Sequence, residues 1–171
     1  MTSLSFSEQL LVDTKSDNLC AVQKLIADNP TVLDTSMHSL YYSIAQNKPE
    51  FVAELIKITD VNSYYFALRS AIDHDRAEIL QNMLESAPLS KPAIAKNLSH
   101  LGGRYPQKDV FKVLYSYGGQ DWFYRFFDIE SARAATPEYC LQIEHWASEI
   151  DALNIAQSLK CAPHSNKMRK I

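Results

Sequence analysis

An all-α chain, arranged as a solenoid of about five stacked helix-turn-helix units with a short C-terminal capping helix, is the fold class this sequence predicts. Three observations predict it. An apolar triad recurs at a near-constant interval, and the residues just ahead of each triad suit the start of a helix. Strand-forming signals are scarce: glycine occurs four times, and no alternating β-branched run is long enough for a sheet.

The last members of the triads are Leu25, Leu55, Met83, Leu114 and Ile143, separated by 30, 28, 31 and 29 residues. Four residues ahead of them stand Ala21, Phe51, Ile79, Val110 and Tyr139, and three ahead stand Val22, Val52, Leu80, Phe111 and Cys140. Offsets of three and four put each triad on one helical face. Glu50, Glu78, Asp109 and Glu138 then supply a carboxylate to the first turn, where the positive end of the helix dipole favours it. Pro49 and Pro137 fall where a missing N–H costs nothing. These helices, the second of each unit, are predicted to begin near Leu19, Pro49, Ala77, Lys108 and Pro137.

Each is preceded by another apolar segment: SEQLLVDTK, HSLYYSIAQ, YYFALRSAI, AIAKNLSHL and WFYRFFDIESARA. Short polar turns at 15–18, 46–48 and 74–76 join the two helices of a unit. Within FVAELIKITDVNS, residues 51–63, the spacing predicts a helix over Phe51–Ile58 and a turn at Asp60-Val61-Asn62. A final short helix is expected over Asp151–Lys160. Residues 1–160 read as a single repeat domain and 161–171 as a flexible tail. A pair of short helices cannot bury its own apolar face, so such units must stack.

The 171 residues include 46% hydrophobic side chains, enough for a real core. Lysine and arginine total 17 against 20 acids, a formal charge of -3, so no basic field gathers phosphates and nucleic acid is not an expected partner. Cys20, Cys140 and Cys161 lack CxxC spacing and fit reduced thiols in a cytosolic compartment. No segment reads as a secretory signal or a membrane span. The expected location is the cytoplasm, or a host cell's cytosol reached through a specialised secretion system.

FVAELIKITDVN resembles the second helix and exit turn of an ankyrin repeat, whose familiar form runs EVVKLLLEAGADVN. NLCAVQKLIADNP, AEILQNMLESAP and KDVFKVLYSYGG look like eroded copies, and together they cover roughly residues 5 to 147. The period is shorter than the usual ankyrin repeat of about 33 residues, and the TPLH opening is absent. Asp17, Asn47 and Asp75 stand where most ankyrin units carry glycine. Truncated or missing β-fingers are the implied consequence.

The most tempting chemistry is His74-Asp75 with His38 upstream and Asp109 or Asp128 downstream, an order similar to all-helical metal phosphohydrolases of the HD type. A histidine and a carboxylate sharing a divalent metal would acidify a bound water. In the repeat register, however, His74 and Asp75 occupy the slots of Gln46 and Asn47, an inter-helix turn, and the turn is the favoured reading. Leu101-Gly102-Gly103-Arg104 lacks the lysine and hydroxyl residue of a phosphate-binding loop. No catalytic residue, cofactor or metal ligand is therefore expected.

Aromatic residues crowd 115–127, and Phe123, Phe126 and Phe127 read as core. Consecutive aromatics cannot all point inward from one helix, so some of Tyr64, Tyr65, Trp122 and Tyr124 are expected near the surface. The ankyrin resemblance implies that partners are held by first helices and turns on the concave side. Mapped onto this register, that face comprises Tyr42, Gln46, Arg69, Ser70, His74, Arg104 and Tyr105, with Tyr65 and Trp122 as further anchors. The expected function is binding of another protein, as an adaptor, an inhibitor or a delivered microbial effector. The alternatives are the HD-type hydrolase and a homo-oligomeric assembly protein.

Overall fold

The structure is a computed structural model, and it describes residues 4–30, 37–87, 89–98, 106–126 and 136–161, with side chains described to 94, 119 and 158 in the last three segments. Every regular element among the described residues is helical. The chain divides into two compact units, Met1–Asp128 and Ile129–Ile171.

The first unit contains α1 (Phe6–Lys15), α2 (Leu19–Asp28), α3 (His38–Ala45), α4 (Pro49–Leu55) with a 3-10 extension over Ile56–Ile58, α5 (Val61–Asp73), α6 (Ala77–Glu85), α7 (Lys91–Leu98) and α8 (Lys108–Phe126). α1 with α2, α3 with α4, α5 with α6 and α7 with α8 each pack as a hairpin. Odd-numbered helices also contact one another in sequence, as do even-numbered helices. Two rows result. The second unit holds α9 (Pro137–Cys161).

Second helices begin at Leu19, Pro49, Ala77, Lys108 and Pro137, the residues the spacing predicts. Val22, Val52, Leu80, Phe111 and Cys140 are all buried, as are Leu55, Met83, Leu114 and Ile143. Phe51, Ile79 and Val110 are buried with them, whereas Ala21, Leu25 and Tyr139 are half-buried. Helix starts are fixed locally. Ser5 and Glu8 form a reciprocal capping box on α1, the Ser5 N–H donating to Glu8 Oε2 at 2.8 Å and the Glu8 N–H to Ser5 Oγ at 3.3 Å. Asn18 accepts from the Ala21 N–H at 3.1 Å to cap α2.

Two expectations need correction. Asp60-Val61-Asn62 is not a turn: Asp60 is the N-cap of α5, accepting from the Asn62 and Ser63 N–H groups at 2.8 and 3.1 Å, and Val61 and Asn62 already lie in its first turn. Only Thr59 and Asp60 therefore link the second hairpin to the third, which leaves no room for a β-finger. The helix expected over Asp151–Lys160 is not separate but continues the fifth second helix as the 25-residue α9. No glycine or proline interrupts 138–161, so nothing in the chain stops it. Of the aromatics expected to divide between core and surface, Tyr64 belongs to the core: it is 3% exposed and its hydroxyl donates to the Met83 carbonyl at 2.5 Å. Trp122 lies within α8, beyond non-helical backbone at Gly119 (φ 75, ψ 177). The side chains of Phe123, Phe126 and Phe127 lie outside the described residues.

Candidate functional site

The three turns that join α1 to α2, α3 to α4 and α5 to α6 have one geometry. Asp17, Asn47 and Asp75 each adopt φ 55, the left-handed conformation that glycine ordinarily fills. Asp and Asn tolerate it best among residues with side chains. In each turn the next N–H reaches back five residues: Asn18 to the Asp13 carbonyl at 3.0 Å, Lys48 to Ser43 at 2.8 Å and Arg76 to Ala71 at 2.8 Å. With the bonds that reach back three residues, from Asp17, Asn47 and Asp75 to Thr14, Ile44 and Ile72, these are Schellman motifs. The residues before the left-handed positions, Ser16, Gln46 and His74, are the C-caps of the first helices and stand at equivalent places in successive hairpins.

The residues after them tie the hairpins together. Lys48 sends its ammonium back to the Thr14 carbonyl at 3.1 Å and Asp17 Oδ1 at 2.6 Å. Arg76 does the same one hairpin later, donating from Nε to the Ile44 carbonyl at 3.2 Å and from Nη2 to Ala45 at 2.6 Å. A cation thus meets the negative end of the preceding first helix in each case. Neither residue was singled out by sequence. Its signal was a long basic side chain directly after the glycine-like position in two successive units.

This scaffold decides what each expected anchor can do. Gln46 is exposed, Arg69 is half-buried, and His74 is half-buried with Nε2 3.1 Å from the Tyr41 hydroxyl. The Tyr41 and His74 rings meet edge-on at 5.4 Å, bridging the second and third hairpins. Tyr42 is half-buried beneath two ammonium groups, with Lys48 at 4.9 Å and Lys15 at 5.9 Å from its ring centroid. Tyr65 is half-buried, its hydroxyl 3.4 Å from the Ala93 carbonyl of α7. Ser70 is buried with no hydrogen-bond partner for Oγ, so it is not part of the exposed surface. Arg104, Tyr105 and the Trp122 side chain lie outside the described residues.

The exposed aromatics in this row are instead Tyr41 at 52% and Phe66 at 58%. Each lies beside a tyrosine that sequence reasoning chose. Adjacent residues on a helix point about 100° apart, so only one of each pair turns outward.

His38 is exposed at the first turn of α3, and Asp75 is exposed in its turn. No group of three His, Cys, Asp or Glu side chains among the described residues could hold a metal ion. No described helix is long and apolar enough to cross a membrane. No protein-family model, curated protein or solved structure matches this chain.

Proposed function

We propose that the chain is an ankyrin-like helical solenoid that binds another protein through the concave side formed by its first helices and turns. The observation that supports this reading is the repeated Schellman turn. One backbone geometry presents a different C-cap side chain each time, Ser16, then Gln46, then His74 beside the exposed Tyr41 ring. A fixed frame with variable tips loses little conformational entropy on binding, and aromatic residues are the side chains that most often anchor such interfaces. Tyr41, Gln46, Arg69 and His74 are the anchors of this reading, with Phe66 at its border.

The test compares affinity capture by the wild-type chain, by a Tyr41→Ala/His74→Ala double variant, and by Glu78→Ala on the other helix row. A partner retained by the first and third and lost by the second supports the reading. Capture that is lost with Glu78→Ala instead, or a stoichiometric metal removed by the change at His74, overturns it.

A further inference from the structure

Two cavities lie along the row of second helices, and the repeat makes them counterparts. One, of about 720 Å³, lies between α4 and α6 and takes its walls from Val52, Ala53 and Ile56 on one side and Ile79 and Met83 on the other. The second, of about 410 Å³, lies between α6 and α8 and is lined by Gln81, Leu84, Glu85 and Lys112 among others. A shift of 28 residues carries Ala53, Ile56 and Lys57 onto Gln81, Leu84 and Glu85. The same architectural position is therefore apolar once and polar once.

The first residue of the following first helix makes the contrast sharper. Lys91 opens α7, donates to the Tyr117 carbonyl at 2.8 Å and lays its ammonium 4.6 Å from the Tyr117 ring centroid, spanning the polar cavity. Val61 opens α5 and lines the apolar cavity in the same role, but it has no reach to span it and stays 49% exposed. The larger cavity is left open. Thr59, Asp60 and the start of α5 wall its third side, which suits a compact molecule better than a helix running through. Its volume falls in the range of small-molecule sites.

Polar groups on the rim are mostly engaged within the protein. The Lys57 ammonium pairs with Glu54 at 2.6 Å, Thr59 Oγ1 donates to the Leu55 carbonyl at 2.7 Å, and Ser86 Oγ donates to the Asn82 carbonyl at 2.6 Å. Asp60 differs. Its carboxylate accepts only neutral donors, two N–H groups and the Ser63 hydroxyl at 2.6 Å, and no cation among the described residues pairs with it. One carboxylate without a cationic partner thus stands at the end of an apolar cavity.

We propose that the cavity between α4 and α6 binds a small amphiphilic cation, its apolar body against Ala53, Ile56 and Val61 and its single protonated amine beside Asp60. The site uses the second-helix row and stands independently of the protein-binding reading.

The test is calorimetric titration of the full chain with octylamine, octanol and octanoate, which share an apolar body and differ in head-group charge. Octylamine is expected to bind about fivefold more tightly than octanol, with octanoate weakest. Ala53→Trp fills the cavity from an exposed position and is expected to abolish binding; if it disturbs the helical signal, Asn82→Trp from the opposite wall makes the same test. Asp60→Asn keeps the helix-capping oxygen and is expected to bring octylamine down to the affinity of octanol. The proposal is overturned if no saturable binding occurs, if a folded tryptophan variant binds as wild type does, or if octanoate equals octylamine. It is equally overturned if Asp60→Asn leaves the amine preference intact, which would assign that preference to the protein's overall negative charge.

Discussion

Arg76 donates from Nη2 to the Ala45 carbonyl oxygen at 2.6 Å, joining the start of one second helix to the end of the preceding hairpin's first helix. Ala45 closes α3, where carbonyls run out of intrahelical donors. The guanidinium both satisfies that oxygen and opposes the helix dipole. Arg76→Ala is therefore expected to destabilise by about 1.5–3 kcal/mol, the range for hydrogen bonds to charged groups. Arg76→Lys should recover only part of this, because one ammonium cannot reproduce the fork to Ile44 and Ala45. Urea denaturation checks both, and a midpoint for Arg76→Ala no lower than that of the exposed Glu78→Ala would contradict the role.

The left-handed turn residues differ in what else they do. Asp75→Gly relieves a φ of 55 and is expected to stabilise by about 0.5–1 kcal/mol. Asp17→Gly relieves the same conformation but loses the Lys48 ion pair; with Asp17 71% exposed, that pair is worth about 0–1 kcal/mol. The expected order of melting temperatures is Asp75→Gly above Asp17→Gly. The reverse order would mean that the exposed Lys48–Asp17 pair contributes no stability.

Positions that match in the sequence spacing are not equivalent in the core. Leu55 is 2% exposed, and Leu55→Ala is expected to cost about 2–5 kcal/mol. Leu25, its counterpart in the first hairpin, is only half-buried, so Leu25→Ala should cost less than about 2 kcal/mol. Chemical denaturation of the two variants under one condition settles the comparison.

Stability should fall on both sides of neutrality, for different groups. The Ser63 hydroxyl and N–H hold the Asp60 carboxyl below its ordinary value of 3.8, and Lys57 holds Glu54 below 4.5. A carboxyl whose folded pKa is depressed contributes fully above its unfolded pKa and loses that contribution as pH falls through the folded value. The acid loss thus begins near pH 4.5, and Asp60→Asn should make it shallower while leaving the cap in place. Burial pushes the Tyr64 phenol up from 10.0, so its contribution is complete below pH 10.0 and disappears as pH rises beyond it. Tyr64→Phe should weaken that alkaline loss. Melting curves across pH, with phenolate absorbance as a second signal, test both limbs.

Much of the architecture was legible because it is local. A helix start needs only its own cap, first-turn charge and proline, so Leu19, Pro49, Ala77, Lys108 and Pro137 could be read from spacing. The buried stripe could be read as well, since offsets of three and four fix one face whatever that face meets. Asp17, Asn47 and Asp75 stood out as residues in a glycine slot, and each is left-handed in the structure.

The candidate site was less legible. Tyr41 and Tyr42 are adjacent in the same segment, and nothing local says which ring turns outward. The neighbouring hairpins decide: Lys15 and Lys48 cover Tyr42, while Tyr41 reaches His74, 33 residues away. Ser70 shares the turn-proximal register of Tyr42 yet is buried. The sequence by itself thus determined where the second helices begin, which stripe they bury and which residues take the left-handed place after three first helices, because those choices are settled within a few residues. Only the tertiary structure decided which aromatics stay exposed, which cations bind back across the repeat and which cavity between hairpins stays open, because each depends on side chains brought together from about one repeat apart.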